Sequence, residues 1–238
     1  MHRFHCPSLA AAALPGLSDA VIELDKDESH HAAKVLRLKG GDGVALFDGE
    51  GTVGEGTIER VASRVTVRVA TARRVAPLVP AIDMAVAIPK GPRADVLIDQ
   101  LSQLGCDRVI PLRARRSIVD PRETKLDRFA RAAVESAKQC GRAYVMKIEP
   151  AADFAAPLLE GPHDLRLIAL PECTSEPALN DRIGAAQRVL ILIGPEGGWT
   201  QDEIALAKAC GCEPWTLGPH VMRIETAAAA AAAVMRYR

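Results

Sequence analysis

From residue 81 onward the chain alternates short, continuous apolar runs with stretches of helical period, and few folds accommodate that alternation. Val189–Ile193 is apolar at every position, and Leu165–Leu170 at every position but Arg166. Runs of this kind belong to strands buried on both faces, as in a parallel sheet covered by helices. Ile82–Ile88 and Val109–Leu112 read as two further strands, and Pro214–Leu217 as a short one. Between them, Ala94, Leu97, Ile98, Leu101 and Leu104 fall at helical spacing, with Gly105 as a natural stop. A long helix is predicted over 122–140, ending at Gly141, and others over Thr200–Cys210 and Ile224–Tyr237. The alanine run 227–233 suits a helix, since alanine is the best helix former.

The first 75 residues have a different texture. Val44–Phe47 is a short apolar run, Ile58 to Val61 is read as a further short β segment, and Val65, Val67 and Val69 alternate with polar residues at period 2. Asp48-Gly49 gives a hairpin signal, and glycines at 40, 41, 43, 54 and 56 suggest further turns. One short helix is expected over Ser29–Leu38, after which Pro77 and Pro80 punctuate the chain. The expected organisation is a small β domain over residues 1–75 and an α/β domain over residues 76–238.

Composition narrows the function classes. No apolar run approaches the roughly 18–20 residues of a transmembrane helix, and the N-terminus lacks the layout of a signal peptide. The six cysteines (Cys6, Cys106, Cys140, Cys173, Cys210, Cys212) contain no C-x-x-C pair. His30-His31 lacks a third ligand at useful spacing, so no metal site is expected. A soluble cytoplasmic protein with reduced thiols is the default expectation.

The formal net charge of zero is a cancellation. Residues 108–147 carry eleven basic and four acidic side chains, net +7, whereas residues 148–238 are net −5. A local basic field attracts phosphates even in a neutral chain, because salt screens charges beyond about 8–10 Å. The same block can equally be a solvated helix face. With only eight aromatics, a stacking platform for single-stranded bases is a poor fit.

Two segments stand out chemically. The run Leu190–Glu203 leads from a buried strand through Gly194-Pro195-Glu196-Gly197-Gly198 into a helix with a Thr200-x-x-Glu203 capping box. Its glycines allow backbone groups to reach a ligand unobstructed. It is neither a Walker loop nor a G-x-G-x-x-G fingerprint, which disfavours a phosphate-binding nucleotide site. The second segment, Leu217–Ala227, again places a glycine after a short strand and enters a helix. Its Arg223 and Glu225 precede an almost purely apolar run. Two strand–glycine loop–helix junctions suggest one composite pocket beyond the carboxyl ends of the strands.

LIGPEGGWTQDEI followed by LGPHVMRIETA closely resembles the RsmE family of ribosomal RNA methyltransferases. His31 with Val35-Leu36-Arg37, the Phe47-Asp48-Gly49 turn, Lys90-Gly91, Leu104-Gly105, Arg116-Ser117 and Gln139-Cys140-Gly141-Arg142 extend the resemblance over essentially the whole chain. His220, Gln100 and Gln103 depart from residues often found in the family. The resemblance implies a SPOUT-class α/β trefoil-knot domain behind a PUA-like β-barrel. It also implies S-adenosylmethionine as cofactor, methylation of uridine N3 in the 16S rRNA of the small ribosomal subunit, and a homodimer joined through the knotted domain.

The cofactor would lie against three loops: Leu170, Pro171 and Glu172; Ile193, Gly194, Pro195, Glu196, Gly197 and Gly198; and Leu217, Gly218, Val221, Met222 and Arg223. Arg223 would stabilise negative charge on the uracil edge, and Glu225 would orient Arg223 or accept the N3 proton. RNA phosphates would meet Arg3, His31, Lys34 and Arg37 on the N-terminal side, and Lys90, Arg93, Arg116 and Arg142 near the pocket. The alternatives are another SPOUT RNA methyltransferase, acting on a ribose 2′-hydroxyl or a tRNA base, and a non-catalytic RNA-binding or assembly protein.

Overall fold

The computed structural model describes residues 1–12, 20–120, 122–172 and 179–237, so Cys173 lies outside the described residues. The chain divides into two compact units, 1–77 with 137–145, and 78–136 with 146–238.

In the first unit the period-2 pattern folds as a mixed five-stranded sheet. Its elements are β1 (His2–His5), α1 (Leu9–Ala12), β2 (Ala20–Glu23), α2 (Lys26–His30), β3 (Gly43–Phe47), β4 (Thr52–Val61) and β5 (Val65–Arg74). The strand order is β1-β3-β4-β5-β2, with β1 parallel to β3 and the other pairs antiparallel. Phe4, Ile22, Val44, Leu46, Ile58, Val65 and Val67 form its buried core. The Asp48 carboxylate makes the β3–β4 connection by accepting from the backbone N–H of Glu50 at 2.7 Å and of Thr52 at 2.8 Å.

Two expectations change here. Gly54 and Gly56 lie inside β4 instead of at turns. A Cβ on Gly56 would stand 2.2 Å from the Arg68 carbonyl oxygen, and one on Gly54 2.9 Å from that of Thr71. The glycines mark a close strand approach at a register shift between Glu55 and Gly56. The expected helix over 29–38 starts earlier, capped by Asp25, and passes into a π-helical turn, His31–Val35. Arg37, at φ 55°, then takes the chain out of it. Residues 137–145 join this unit through an ion pair of Lys138 with buried Glu28 at 2.9 Å and a Tyr144 hydroxyl donating to the Val75 carbonyl.

The second unit holds the alternating segments: β6 (Ala81–Val86), α3 (Arg93–Gln103), β7 (Arg108–Arg113), α4 (Glu123–Cys140, its residues from 137 on counted with the first unit), β8 (Lys147–Ile148), β9 (Ala152–Asp153), α5 (Ala156–Leu159), β10 (Leu165–Ala169), α6 (Leu179–Ala185), β11 (Arg188–Ile193), α7 (Gln201–Ala209), β12 (Glu213–Trp215) and α8 (Ile224–Arg236). The continuous apolar runs are strands of one parallel sheet, in the order β12-β10-β11-β6-β7-β8, with β9 paired to β7. β6 and β11 are buried along nearly their whole length, as strands covered on both faces must be. The short β8, β9, α5 and α6 carry too few residues to show a period, and sequence pattern does not announce them.

α8 packs against α3, β6 and β11. Ala228, Ala231 and Ala232 are fully buried, so small side chains let this helix sit close within the chain itself. Its end is anchored by Arg236, whose guanidinium donates to the carbonyls of Pro80 and Gly105 and to the Asp107 carboxylate.

At the amino edge of the sheet lies a buried charge cluster. Asp83 is fully buried and accepts from Arg108 at 2.8 Å, His163 at 2.8 Å and Arg188 at 2.9 Å. Burial alone raises a carboxyl pKa, but these hydrogen bonds outweigh it and hold Asp83 well below the usual carboxylate range.

Candidate functional site

Because every strand of the second sheet is parallel, the loops leaving the carboxyl ends share one edge. β12, β10 and β11 are neighbours, so the loops after them stand side by side and enclose a cleft. Leu170 and Pro171 come from the first loop, Ile193, Gly194, Pro195, Glu196, Gly198 and Trp199 from the second, and Thr216, Leu217, Gly218, His220, Val221 and Met222 from the third. Ile224 and Ala227 of α8 complete the lining. The cleft encloses about 700 Å³ including its open mouth, within the roughly 300–1,000 Å³ of small-molecule sites.

Trp199 joins two of these loops. Its ring is buried beside Phe154 at 5.0 Å, and its Nε1 donates to the Ala169 carbonyl at 3.1 Å. Gly194 makes room for the indole, because a Cβ there would stand 2.7 Å from the ring. The capping box of α7 forms as the sequence predicts, with Thr200 N–H donating to Glu203 at 2.7 Å. Glu203 also accepts from the Arg115 N–H at 2.7 Å, which ties the turn after β7 to this loop.

Glu196 and Glu225 share one arginine. Arg93, the first residue of α3, bonds Glu196 at 3.0 Å and lies 3.7 Å from Glu225. Glu225 is buried in the first turn of α8, and its Oε2 accepts no hydrogen bond among the described residues. Arg223 is the exposed N-cap of α8, and Glu225 pairs with Arg93 and not with Arg223. Glu172, Gly197 and Arg223 are not among the lining residues.

Residues 77–236 match the model of an RNA methyltransferase domain, and residues 24–69 that of an RNA methyltransferase PUA domain. The ribosomal RNA small subunit methyltransferase E of Mycobacterium bovis is 31% identical over 224 residues, covering 89% of this chain and 84% of that protein. The chain belongs to the small-subunit ribosomal RNA methyltransferase E family. The member from Synechocystis is 30% identical, with 88% and 70% covered. A crystal structure of the Neisseria gonorrhoeae member bound to S-adenosyl methionine superposes with a TM-score of 0.85 at 25% identity, over 99% of this chain and 96% of that one. The fold class is the expected one in its architecture, a parallel-sheet α/β methyltransferase unit together with a PUA unit.

For a chain of this methyltransferase family, the distribution of its arginines is informative. Arg116 donates to the carbonyl of Gly197 at 2.8 Å. Arg3 donates to the carbonyl of Arg142 at 2.6 Å and stacks over Phe47 at 4.3 Å. Partial burial lowers the Arg3 pKa from its ordinary value. Arg142 is half-buried, and His31 sets its ring edge toward Phe4 at 6.4 Å. Lys34, Arg37 and Lys90 are exposed. Much of the basic block is spent internally as well: Arg108 on Asp83, Arg113 on Asp153, Arg128 on Asp95 and Lys138 on Glu28. No group of His, Cys, Asp and Glu suited to a metal occurs among the described residues, and none of their helices is long and apolar enough to cross a membrane.

Trp199 and Thr216 were not singled out by sequence reasoning. Trp199 sits inside the quoted motif, and the small residue five positions before it is the only local signal of its buried ring.

Proposed function

We propose that this chain uses S-adenosylmethionine to methylate N3 of a uridine in the 16S rRNA of the small ribosomal subunit. The carrying observation is the cleft made by three neighbouring loops at the carboxyl edge of the sheet. Its donor set fits the cofactor. Leu170, Ile193, Leu217, Met222 and Ile224 give apolar walls for a purine, and the glycine-rich backbone offers N–H and C=O groups to its polar edge. Glu196 is the one acidic side chain among the described lining residues, which suits a cationic ligand. The relatives named as small-subunit rRNA methyltransferases, one of them bound to S-adenosyl methionine, support the same reading.

When bound, the cofactor supplies an activated methyl group on a sulfonium, which leaves as a neutral thioether once the methyl is transferred. The chain must then place the uracil N3 edge and favour loss of its proton. Arg223, exposed at the start of α8, is assigned to the developing negative charge on the uracil carbonyls. Glu225 is assigned the N3 proton, directly or through a water, since its Oε2 has an unused acceptor position.

Exposed Lys34, Arg37 and Lys90, together with half-buried His31 and Arg142, are assigned to RNA phosphates. The RNA-binding domain is assigned to residues 1–75 and the methyltransferase domain to 76–238. The active form is proposed to be a cytoplasmic homodimer. Mass mapping of small-subunit rRNA from a deletion strain tests the function. A missing 3-methyluridine restored by the gene is the expected result, and an unchanged modification pattern refutes it.

A further inference from the structure

We propose that Arg93 is a positioning residue that holds the glycine-rich loop after β11 against the first turn of α8, in place of contacting RNA phosphate. This rests on reading the cleft as the S-adenosylmethionine site. The guanidinium divides between two carboxylates from different elements. Its Nη2 reaches Glu196 Oε1 at 3.0 Å, and its Nη1 lies 3.7 Å from Glu225 Oε2. Glu196 lines the cleft, whereas Glu225 is buried in the first turn of α8.

The loop needs such a hold. Three of the five residues 194–198 are glycine, so the segment has little conformational preference of its own, and ordering it costs entropy. Two arginines grip adjacent residues of it. Arg93 takes the Glu196 side chain from α3, and Arg116 takes the Gly197 carbonyl at 2.8 Å from the turn after β7. A Cβ on Gly197 would stand 3.1 Å from the Arg116 Cβ, so the second grip is a close packing contact too.

Electrostatics leads to the same assignment. Without Arg93 the two carboxylates would repel, and buried Glu225 would lose the ion-pair partner 3.7 Å from it. A planar fork spans two acceptors, which a point-charge ammonium does not. An arginine already engaged by two carboxylates also has little net charge left for a phosphate. A loop held in its binding-competent shape before the ligand arrives binds more tightly, because the ordering cost is already met.

Arg93→Gln and Arg93→Lys are compared with the wild type by calorimetry with S-adenosylmethionine, steady-state kinetics and salt-dependent binding to small-subunit rRNA. Arg93→Gln is expected to weaken cofactor binding by roughly five- to tenfold. KM for the cofactor should rise in parallel, and kcat should fall as well, because Glu225 loses the cation 3.7 Å from it. The slope of log affinity against log salt for RNA should stay at the wild-type value. In a double-mutant cycle with Glu196→Gln the two losses should not add. Wild-type cofactor affinity in Arg93→Gln, with the RNA salt slope reduced by about 0.7–0.9, overturns the proposal and makes Arg93 a phosphate contact. Should Arg93→Gln not fold, Arg93→Lys serves. Weakened cofactor binding at an unchanged salt slope supports the proposal, and unchanged cofactor binding overturns it. Failure of the wild type to bind S-adenosylmethionine strikes the reading of the cleft itself, a separate result.

Discussion

The indole N–H of Trp199 donates to the carbonyl of Ala169 at 3.1 Å, so one buried side chain fastens the loop after β11 to the end of β10. Gly194 is the counterpart that leaves space for the ring. Gly194→Ala should displace the indole, because a Cβ 2.7 Å from it cannot be accommodated without movement. We expect at least about a tenfold loss of cofactor affinity and a cost of roughly 1–3 kcal/mol in stability. Titration followed by tryptophan fluorescence, with a thermal melt, measures both. Unchanged affinity with an unchanged spectrum would show that the ring does not shape the cleft.

Arg223→Ala should lose turnover on small subunits by about 10²-fold or more and leave S-adenosylmethionine affinity within about twofold, since Arg223 is outside the cleft lining. Single-turnover methylation alongside calorimetry separates the two effects. Normal turnover removes the catalytic assignment.

Asp83→Asn should destabilise the protein by about 2–4 kcal/mol at neutral pH, because Arg108, Arg188 and His163 lose their common buried partner. The pH dependence has a definite sign. The folded-state pKa of Asp83 lies below its unfolded value, since the hydrogen bonds outweigh the opposing effect of burial. Its contribution is therefore fully present above the unfolded value of about 3.9 and is lost as pH falls through the folded value. Denaturant melts of wild type and variant should differ most at neutral pH and converge only in strong acid.

Gly56→Ala should destabilise the β4–β5 pair by roughly 2–4 kcal/mol, as its Cβ would stand 2.2 Å from the Arg68 carbonyl oxygen. Gly40→Ala is the matched control, with its nearest neighbour at an ordinary 3.6 Å. Chemical denaturation of the two variants checks the contrast, and equal costs would contradict the close approach.

Among the cysteines of the described residues, Cys140 is exposed, whereas Cys6, Cys106 and Cys212 are buried. Burial pushes the Cys212 thiol up to about 11 and raises that of Cys6. Mass-resolved alkylation of the native protein at pH 8 should modify Cys140 well before these three. Early labelling of Cys212 would mean that the region around it opens readily.

Much of the architecture was legible in the residues themselves. A strand buried on both faces is apolar almost throughout, so Leu165–Leu170 and Val189–Ile193 announced a parallel sheet, and helical spacing from Ala94 to Leu104 announced α3. The glycine-rich segments after β11 and β12 likewise showed where backbone could meet a ligand. Other features depended on partners far away in the chain. Gly54 and Gly56 read as turns until the Thr71 and Arg68 carbonyls were seen against them. Counting charge found Arg116, and the family resemblance added Arg3 and Arg93, but neither disclosed the Gly197 carbonyl, the Arg142 carbonyl or the Glu196 and Glu225 carboxylates that they engage. Local pattern reports the period of a segment and the charge of a side chain. Whether that charge is free for RNA is decided by pairing between residues up to about 140 positions apart, and pairing exists only in the tertiary structure.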